Sequence, residues 1–210
     1  MEEYKVVDLK KFSRSEYYEY FMAVGTTFEM TVKIDVTKAV KKCKGEALSF
    51  YSYSIFNLTK AVNTIQNFKY DILNGQLIEW DKIIPTFTNF NQETKMFYTL
   101  WLDDMPDYQT FDKQFKKTVQ TYSSSTGISP MVEIPSNVFN ISSIPWTHFE
   151  QFSSNTSKID DNLKPMITTG KYEEIDSKLL LPVTIKVHHA TVDGYHVAMF
   201  FEQFQKEMNA

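Results

Sequence analysis

Val187-His188-His189-Ala190-Thr191-Val192-Asp193-Gly194-Tyr195-His196 gathers three of the chain's four histidines into one short stretch. Before it runs Leu181-Pro182-Val183-Thr184-Ile185-Lys186-Val187, whose apolar residues alternate and predict a strand over 178–188. After it, Val197, Phe200, Phe201, Phe204 and Met208 fall on one helical face and predict a closing helix from Gly194 to Met208. A tight strand-to-helix connection on a rigid scaffold is a place where reactive groups are presented.

Upstream, residues 26–37 alternate, with Phe28, Met30, Val32, Ile34 and Val36 on one side and Thr27, Glu29, Thr31, Lys33 and Asp35 on the other. That is the pattern of a half-buried strand. Ser13-Arg14-Ser15-Glu16 reads as a capping box, with Ser13 as N-cap of a helix carrying Tyr17 to Met22. Thr37 is expected to cap a short helix through Cys43, and a longer helix is expected from about 49 to 68, with Ile55, Leu58, Val62 and Ile65 on one face. Asn74-Gly75 between two apolar runs predicts a hairpin, because both residues tolerate positive φ. Further strands are expected at 82–90, 95–102, near 137–142 and at 165–172. Tyr108, Phe111, Phe115 and Val119 mark another helix, and breaker-rich or polar loops are expected at 123–130 and 153–163. Helices and strands intersperse without strict βαβ alternation. The expected fold is therefore α/β (α+β): a two-layer domain with a mixed β-sheet and helices packed on it.

Composition narrows the function. The chain has 210 residues, 42% hydrophobic, with 17 Phe, 12 Tyr and 3 Trp, which suits either an aromatic core or a ring-lined pocket. A net charge of −4 with no basic stripe argues against nucleic acid as a partner. One cysteine rules out an intramolecular disulfide and a Cys-based zinc site, so a cytoplasmic protein is the simple inference. Neither a signal peptide nor an apolar run of about 20 residues is visible, so no membrane association is expected. With six glycines and no Gly-x-Gly-x-x-Gly, dinucleotide or nucleoside-triphosphate sites of the familiar kinds are disfavoured.

Three readings of the histidine stretch compete. If His188 and His189 continue the strand they point to opposite faces and cannot share a metal ion. A structural reading has one buried histidine, with Asp193 as the N-cap of the last helix. A general-base reading has an imidazole taking a proton from a hydroxyl near neutral pH. Spacing alone does not choose between the last two.

His189-Ala190-Thr191-Val192-Asp193-Gly194 resembles the His-x-x-x-Asp-Gly motif of the chloramphenicol acetyltransferase family. Asn140-Ile141-Ser142-Ser143-Ile144-Pro145-Trp146 is similar to the family's Asn-(Ile/Val)-Ser-x-(Leu/Ile)-Pro-Trp stretch. Asn91-Gln92-Glu93-Thr94 with Phe97, Leu179-Leu180-Leu181-Pro182, and Arg14 with Glu16 resemble further family segments in the same order, from about residue 7 to residue 205. The resemblance implies one acetyltransferase domain over 1–210 that moves acetyl from acetyl-CoA to a hydroxyl acceptor, without a metal. His189 would be the general base. Ser142 would donate to the oxyanion, and Thr168 would hold a water nearby. Asp193 would pair with Arg14 and brace the loop rather than complete a triad. The histidine tautomer would be held by the residue's own carbonyl.

The resemblance further implies acceptor contacts at Tyr20, Phe21, Thr26, Phe28, Phe97, Phe152, Ser154 and Thr156, and coenzyme contacts at Trp146, Lys171 and Tyr172. It also implies a homotrimer with sites at subunit interfaces, His189 facing Phe21 and Phe28 of the next copy. The acceptor set departs from the family. Phe21 lacks the hydroxyl of the usual Tyr, Thr26 replaces a frequent Cys, and Ser154 and Thr156 replace apolar residues. Chloramphenicol is the expected acceptor; the alternatives are another hydroxylated small molecule, or a trimeric ligand-binding protein without catalysis.

Overall fold

A computed structural model describes residues 3–103, 106–155 and 162–210. Its main sheet is built from β2 (Thr27–Asp35), β5 (Ile84–Phe90), β6 (Phe97–Trp101), β7 (Val138–Ser143), β8 (Met166–Thr169) and β10 (Lys178–His188), in the order β2-β10-β8-β7-β5-β6. The short strand β9 (Glu173–Ile175) pairs with β10 as a hairpin. β10 runs antiparallel to β2 and β8, and β5 antiparallel to β6, while β7 is parallel to both β5 and β8. The sheet is therefore mixed, as the pattern of elements predicts. The single strand expected at 165–172 is shorter: it ends at Thr169, before Gly170.

Alternation gives the sheet two different faces. Phe139, Ile141, Ile167, Val183, Ile185 and Val187 point into the main core. Against them pack α3 (Phe50–Asn63) and α5 (Gly194–Met208), joined by α2 (Thr37–Gly45) and α4 (Tyr108–Thr121). Ile55, Leu58, Val62, Phe200 and Phe204 are fully buried there, so the helical stripes face the core as read. The opposite face carries a row of hydroxyls, because Ser142 is in register with Thr168, Thr168 with Thr184, and Thr184 with Thr31. Thr31 and Thr184 bond through their side-chain oxygens at 2.7 Å.

A second sheet, in the order β1-β4-β3, contains β1 (Tyr4–Val6), β3 (Tyr70–Leu73) and β4 (Gln76–Trp80). Asn74 and Gly75 turn this hairpin with φ of 51° and 74°, the positive pair that Asn-Gly allows. Strand β1 is not signalled because three residues, Tyr4-Lys5-Val6, are too few to show a period. Asp71 accepts from the Trp80 indole at 3.1 Å and pairs with Lys164, tying this sheet to the chain entering β8.

Three helix boundaries differ from expectation, each for a local reason. α1 (Ser15–Val24) is not opened by Ser13; Arg14 holds the cap position without a side-chain cap, and the Ser15 hydroxyl turns back to the carbonyls of Leu9 and Phe12. Thr37 is the first residue of α2 rather than its cap: the Asp35 carboxylate accepts from the Thr37 N–H at 3.0 Å and from its hydroxyl at 2.6 Å. These bonds hold the Asp35 carboxyl below its usual range. The helix expected to reach residue 68 stops at Asn63, where Thr64 and Ile65 donate three residues back to Ala61 and Val62; a 3₁₀ turn at Gln66–Phe68 follows. Ser49 caps α3, accepting from Ser52 N–H.

Candidate active site

β10 ends at His188, and the chain turns so that His189 lies just past the sheet. The His189 N–H donates to Thr26 O at 2.9 Å, which closes the turn against the start of β2. The imidazole stacks on the Phe21 ring with centroids 4.0 Å apart and meets the Phe28 ring edge-on at 5.2 Å. Its Nδ1 is 2.9 Å from the Val192 carbonyl oxygen and 3.3 Å from Asp193 Oδ1. A carbonyl oxygen only accepts, so Nδ1 carries the proton and Nε2 keeps a lone pair. The expectation that His189's own carbonyl holds the tautomer is corrected. The tight turn brings the Val192 carbonyl to the ring, while Arg14 Nη2 reaches the His189 carbonyl at 3.3 Å.

Arg14 grips Asp193 with both terminal guanidinium nitrogens, Nη1 to Oδ2 and Nη2 to Oδ1, the latter at 2.9 Å. The Arg14 hydrogen bond holds the Asp193 carboxyl below the usual carboxylate range. Asp193 also occupies the N-cap position of α5, and its N–H donates to His196 Nδ1 at 2.9 Å. Burial pushes the His196 pKa down, consistent with a neutral ring that accepts. His188 is fully buried, and its Nδ1 accepts from Ala190 N–H at 3.1 Å. Arg14, Phe21, Phe28, His189 and Asp193 thus form one group, built by the histidine turn, α1 and β2. Thr26 joins it through its backbone, donating to Phe21 O at 3.2 Å. Tyr20 packs edge-on against Phe21 but is 63% exposed.

A second group lines a cavity of about 1160 Å³ beyond the ends of β7 and β8. Ser142, Phe97, Trp146, Lys171 and Tyr172 face it, together with Phe50, Tyr51, Phe90 and Leu181. Trp146 sits edge-on to Phe90 at 4.8 Å, and Tyr172 edge-on to Phe50 at 5.4 Å. The buried Tyr51 hydroxyl donates to Thr88 O at 2.6 Å, and burial raises its pKa. Thr168 neighbours Ser142 in the hydroxyl row and is 8% exposed.

The remaining acceptor candidates form a third group. Phe152 packs on Phe149 at 5.9 Å, and Ser154 lies over the hydroxyl face. Thr156 is outside the described residues. The single chain therefore does not bring the whole expected set together: His189 is not among the residues lining the cavity that holds Ser142. Phe21 and Phe28 belong to the same copy as His189, which corrects the expectation that a second copy supplies them. Phe50, Tyr51 and Phe90 were missed, since their helix and strand patterns assign them to packing. Val192 acts through its backbone, which no side-chain motif signals.

The site thus combines a mixed sheet with a polar face, a histidine turn braced by an Arg–Asp pair, and a separate apolar cleft. A sequence model described as "Chloramphenicol acetyltransferase" matches residues 2–205. Chloramphenicol acetyltransferase 3 of Escherichia coli is 35% identical over 208 residues, covering 99% of this chain and 98% of that protein. The chloramphenicol acetyltransferase of Vibrio anguillarum is 36% identical over 205 residues, covering 97% and 93%. A solved chloramphenicol acetyltransferase superposes with a TM-score of 0.87 at 18% identity, covering 98% of this chain and 100% of that one. A truncated catalytic core of the 2-oxoacid dehydrogenase multienzyme complex from Thermoplasma acidophilum shares the fold, with a TM-score of 0.68 at 9% identity and 97% coverage of each chain. The chain belongs to the chloramphenicol acetyltransferase family.

Proposed function

We propose that the protein transfers the acetyl group of acetyl-CoA to a hydroxyl of chloramphenicol, as a cytoplasmic enzyme that inactivates the antibiotic. The observation that carries this reading is the His189 Nδ1 contact with the Val192 carbonyl at 2.9 Å, which leaves Nε2 as the basic nitrogen. His189 Nε2 takes the proton of the acceptor hydroxyl, whose oxygen then bonds to the thioester carbonyl carbon. Ser142 donates to the oxygen that becomes negative, and Thr168 holds a water beside it. When the C–S bond breaks, His189 returns its proton to the departing thiolate, so the enzyme ends unchanged. Asp193 and Arg14 hold the turn, with Asp193 also favouring positive charge on His189 as it forms.

The cavity suits the coenzyme. Its walls are mostly apolar, with rings from Phe50, Phe90, Phe97, Trp146 and Tyr172, fit for a long thin arm, and Lys171 supplies a cation for phosphate. Trp146 and Tyr172 would pack against the same ligand. Separation of His189 from the Ser142 cavity within one chain supports a homotrimer, in which His189 of one copy meets the Ser142 cavity of the next. Exposed Tyr17, Tyr20, Met96, Phe97 and Trp146 would lose their water contact in such an assembly. Light scattering tests this directly; a monomeric mass at micromolar concentration rejects it.

A second acceptor class is favoured by one observation. Phe21 has no hydroxyl, and its ring is already stacked on His189, so that position offers an acceptor no hydrogen bond. A coupled assay of thiol release from acetyl-CoA separates the readings. Release that depends on chloramphenicol supports the first, release only with another hydroxylated molecule supports the second, and no release with any acceptor supports a silent binding protein.

A further inference from the structure

Lys186 on β10 and Glu29 on β2 stand directly opposite each other in the antiparallel ladder. Both lie on the hydroxyl face, as does Thr184, two residues from Lys186 and about 7 Å along the strand. Lys186 is only 8% exposed, an unusual place for a lysine. Its ammonium donates to Ser154 O at 3.0 Å, and Glu29 Oε1 accepts from Ser154 N–H at 3.0 Å. One cross-strand pair of opposite charges thus holds both backbone polar groups of a single loop residue.

Other contacts fasten the rest of this segment. Lys33, also on β2, donates to Glu150 at 2.7 Å and to Glu173 at 3.0 Å. Phe149 packs on Phe152. The segment 149–154 is therefore fastened along β2 and β10 on the hydroxyl face, past the level of the Thr31–Thr184 pair. Holding a surface loop needs no such arrangement, because water satisfies an exposed peptide group at little cost. Sinking a lysine into a sheet face is costly unless the ammonium is well bonded. That expense is understandable if the position of the loop matters.

We infer that Lys186 and Glu29 are positioning residues for the acceptor: they fix the backbone at Ser154 so that the Phe152–Ser154 wall stands at a set height over the hydroxyl row. The inference rests on the reading that Phe152 and Ser154 wall the acceptor site. Neither charged group touches a reacting atom; they act through the loop.

The test compares Lys186→Met and Glu29→Leu, which remove the two partners, with Lys186→Arg and Glu29→Gln, which keep a donor and an acceptor. Charge-assisted bonds of this kind are each worth about tenfold or more in an equilibrium. The expected result is a rise of about tenfold in the chloramphenicol KM for the first two variants, with acetyl-CoA KM and kcat changed by less than about threefold, and substantial recovery in the second two. Amide exchange at Ser154, followed in the intact protein, should quicken in Glu29→Leu and stay slow in Glu29→Gln. Equal losses in all kinetic constants, or an unchanged acceptor KM with quickened exchange, overturn the inference. If Lys186→Met does not fold, the Glu29 pair decides alone. If the wild-type protein acetylates no chloramphenicol, the acceptor reading has failed, and the clamp stands or falls on the exchange at Ser154.

Discussion

The ring of His189 and the carbonyl of Val192, three positions apart in the chain, face each other at 2.9 Å across a tight turn. This contact, rather than a carboxylate, selects the tautomer; Asp193 Oδ1 is farther away at 3.3 Å and is engaged by Arg14. The arrangement puts a proton on Nδ1, so that Nε2 is the nitrogen left to exchange a proton, turned away from the ring's own backbone. Phe21 and Phe28 complete the fix by bounding the ring on its face and edge.

His189→Ala should lower acetyl transfer by about 10²- to 10⁴-fold, the usual range for loss of a general base. The fold should survive, because the ring is only part-buried and its hydrogen bond is to backbone. Steady-state kinetics beside a thermal melt checks both. Activity within tenfold of wild type would exclude His189 as the base.

Ser142→Ala should reduce turnover by about 10²- to 10³-fold, as for removal of one oxyanion donor. Its backbone stays in the β7–β8 ladder opposite Thr168, so stability should change little. An effect confined to the acetyl-CoA KM would instead place Ser142 in coenzyme binding, in keeping with its position on the cavity wall.

Asp193→Asn should alter both rate and acid stability. The Arg14 hydrogen bond lowers the folded-state pKa of Asp193. A depressed carboxyl pKa stabilises the fold fully above its unfolded value of about 3.9, and that gain is lost as pH falls through the lower folded value. The wild type should therefore lose part of its stability between those limits, and Asp193→Asn should lack that portion of the acid transition. The side chain is 39% exposed, so solvent screening keeps the effect modest. Melting temperatures of both proteins from pH 7 to pH 2 measure the difference; parallel curves would show that the pair does not contribute.

Much of this was legible in the sequence where periodicity is strong. Helix α5 and the Asn74-Gly75 hairpin follow from side-chain pattern and turn chemistry, which are local. The helix starts were less legible because long-range partners compete for the capping groups. Arg14 is drawn to Asp193, and Thr37 accepts from Leu179 N–H at 2.8 Å while its own amide goes to Asp35. The family motif identified His189 and the Arg14–Asp193 pair, but not the carbonyl that orients the ring, since every residue has one. In the sequence Glu29 reads as one of the polar side of an alternating strand, and Lys186 as one more residue of the strand before the histidines. Only the register that sets them opposite each other, and the loop that returns to Ser154, reveals their joint contact.

Gly170 offers a final test, this time of packing beneath the strap. A Cβ built there would lie 2.7 Å from Pro182 Cγ and 2.8 Å from Phe149 Cε1, closer than carbon atoms can stand. The Pro182 backbone cannot withdraw, because β10 is paired on both sides at this level, which leaves its ring only a change of pucker. Phe149 is the part that can move, and it carries Phe152 with it. Gly170→Ala should therefore destabilise the protein by about 1–3 kcal/mol, as overpacking usually does, and should also raise the acceptor KM. Combining it with Phe149→Ala removes the ring that clashes. If the ring is the obstacle, the double variant should be more stable than the sum of the two single changes predicts, a coupling that neighbouring residues show and distant ones do not. Chemical denaturation of the four proteins measures that coupling. Strict additivity would mean that the Pro182 contact alone sets the cost and that the strap is not held through Gly170.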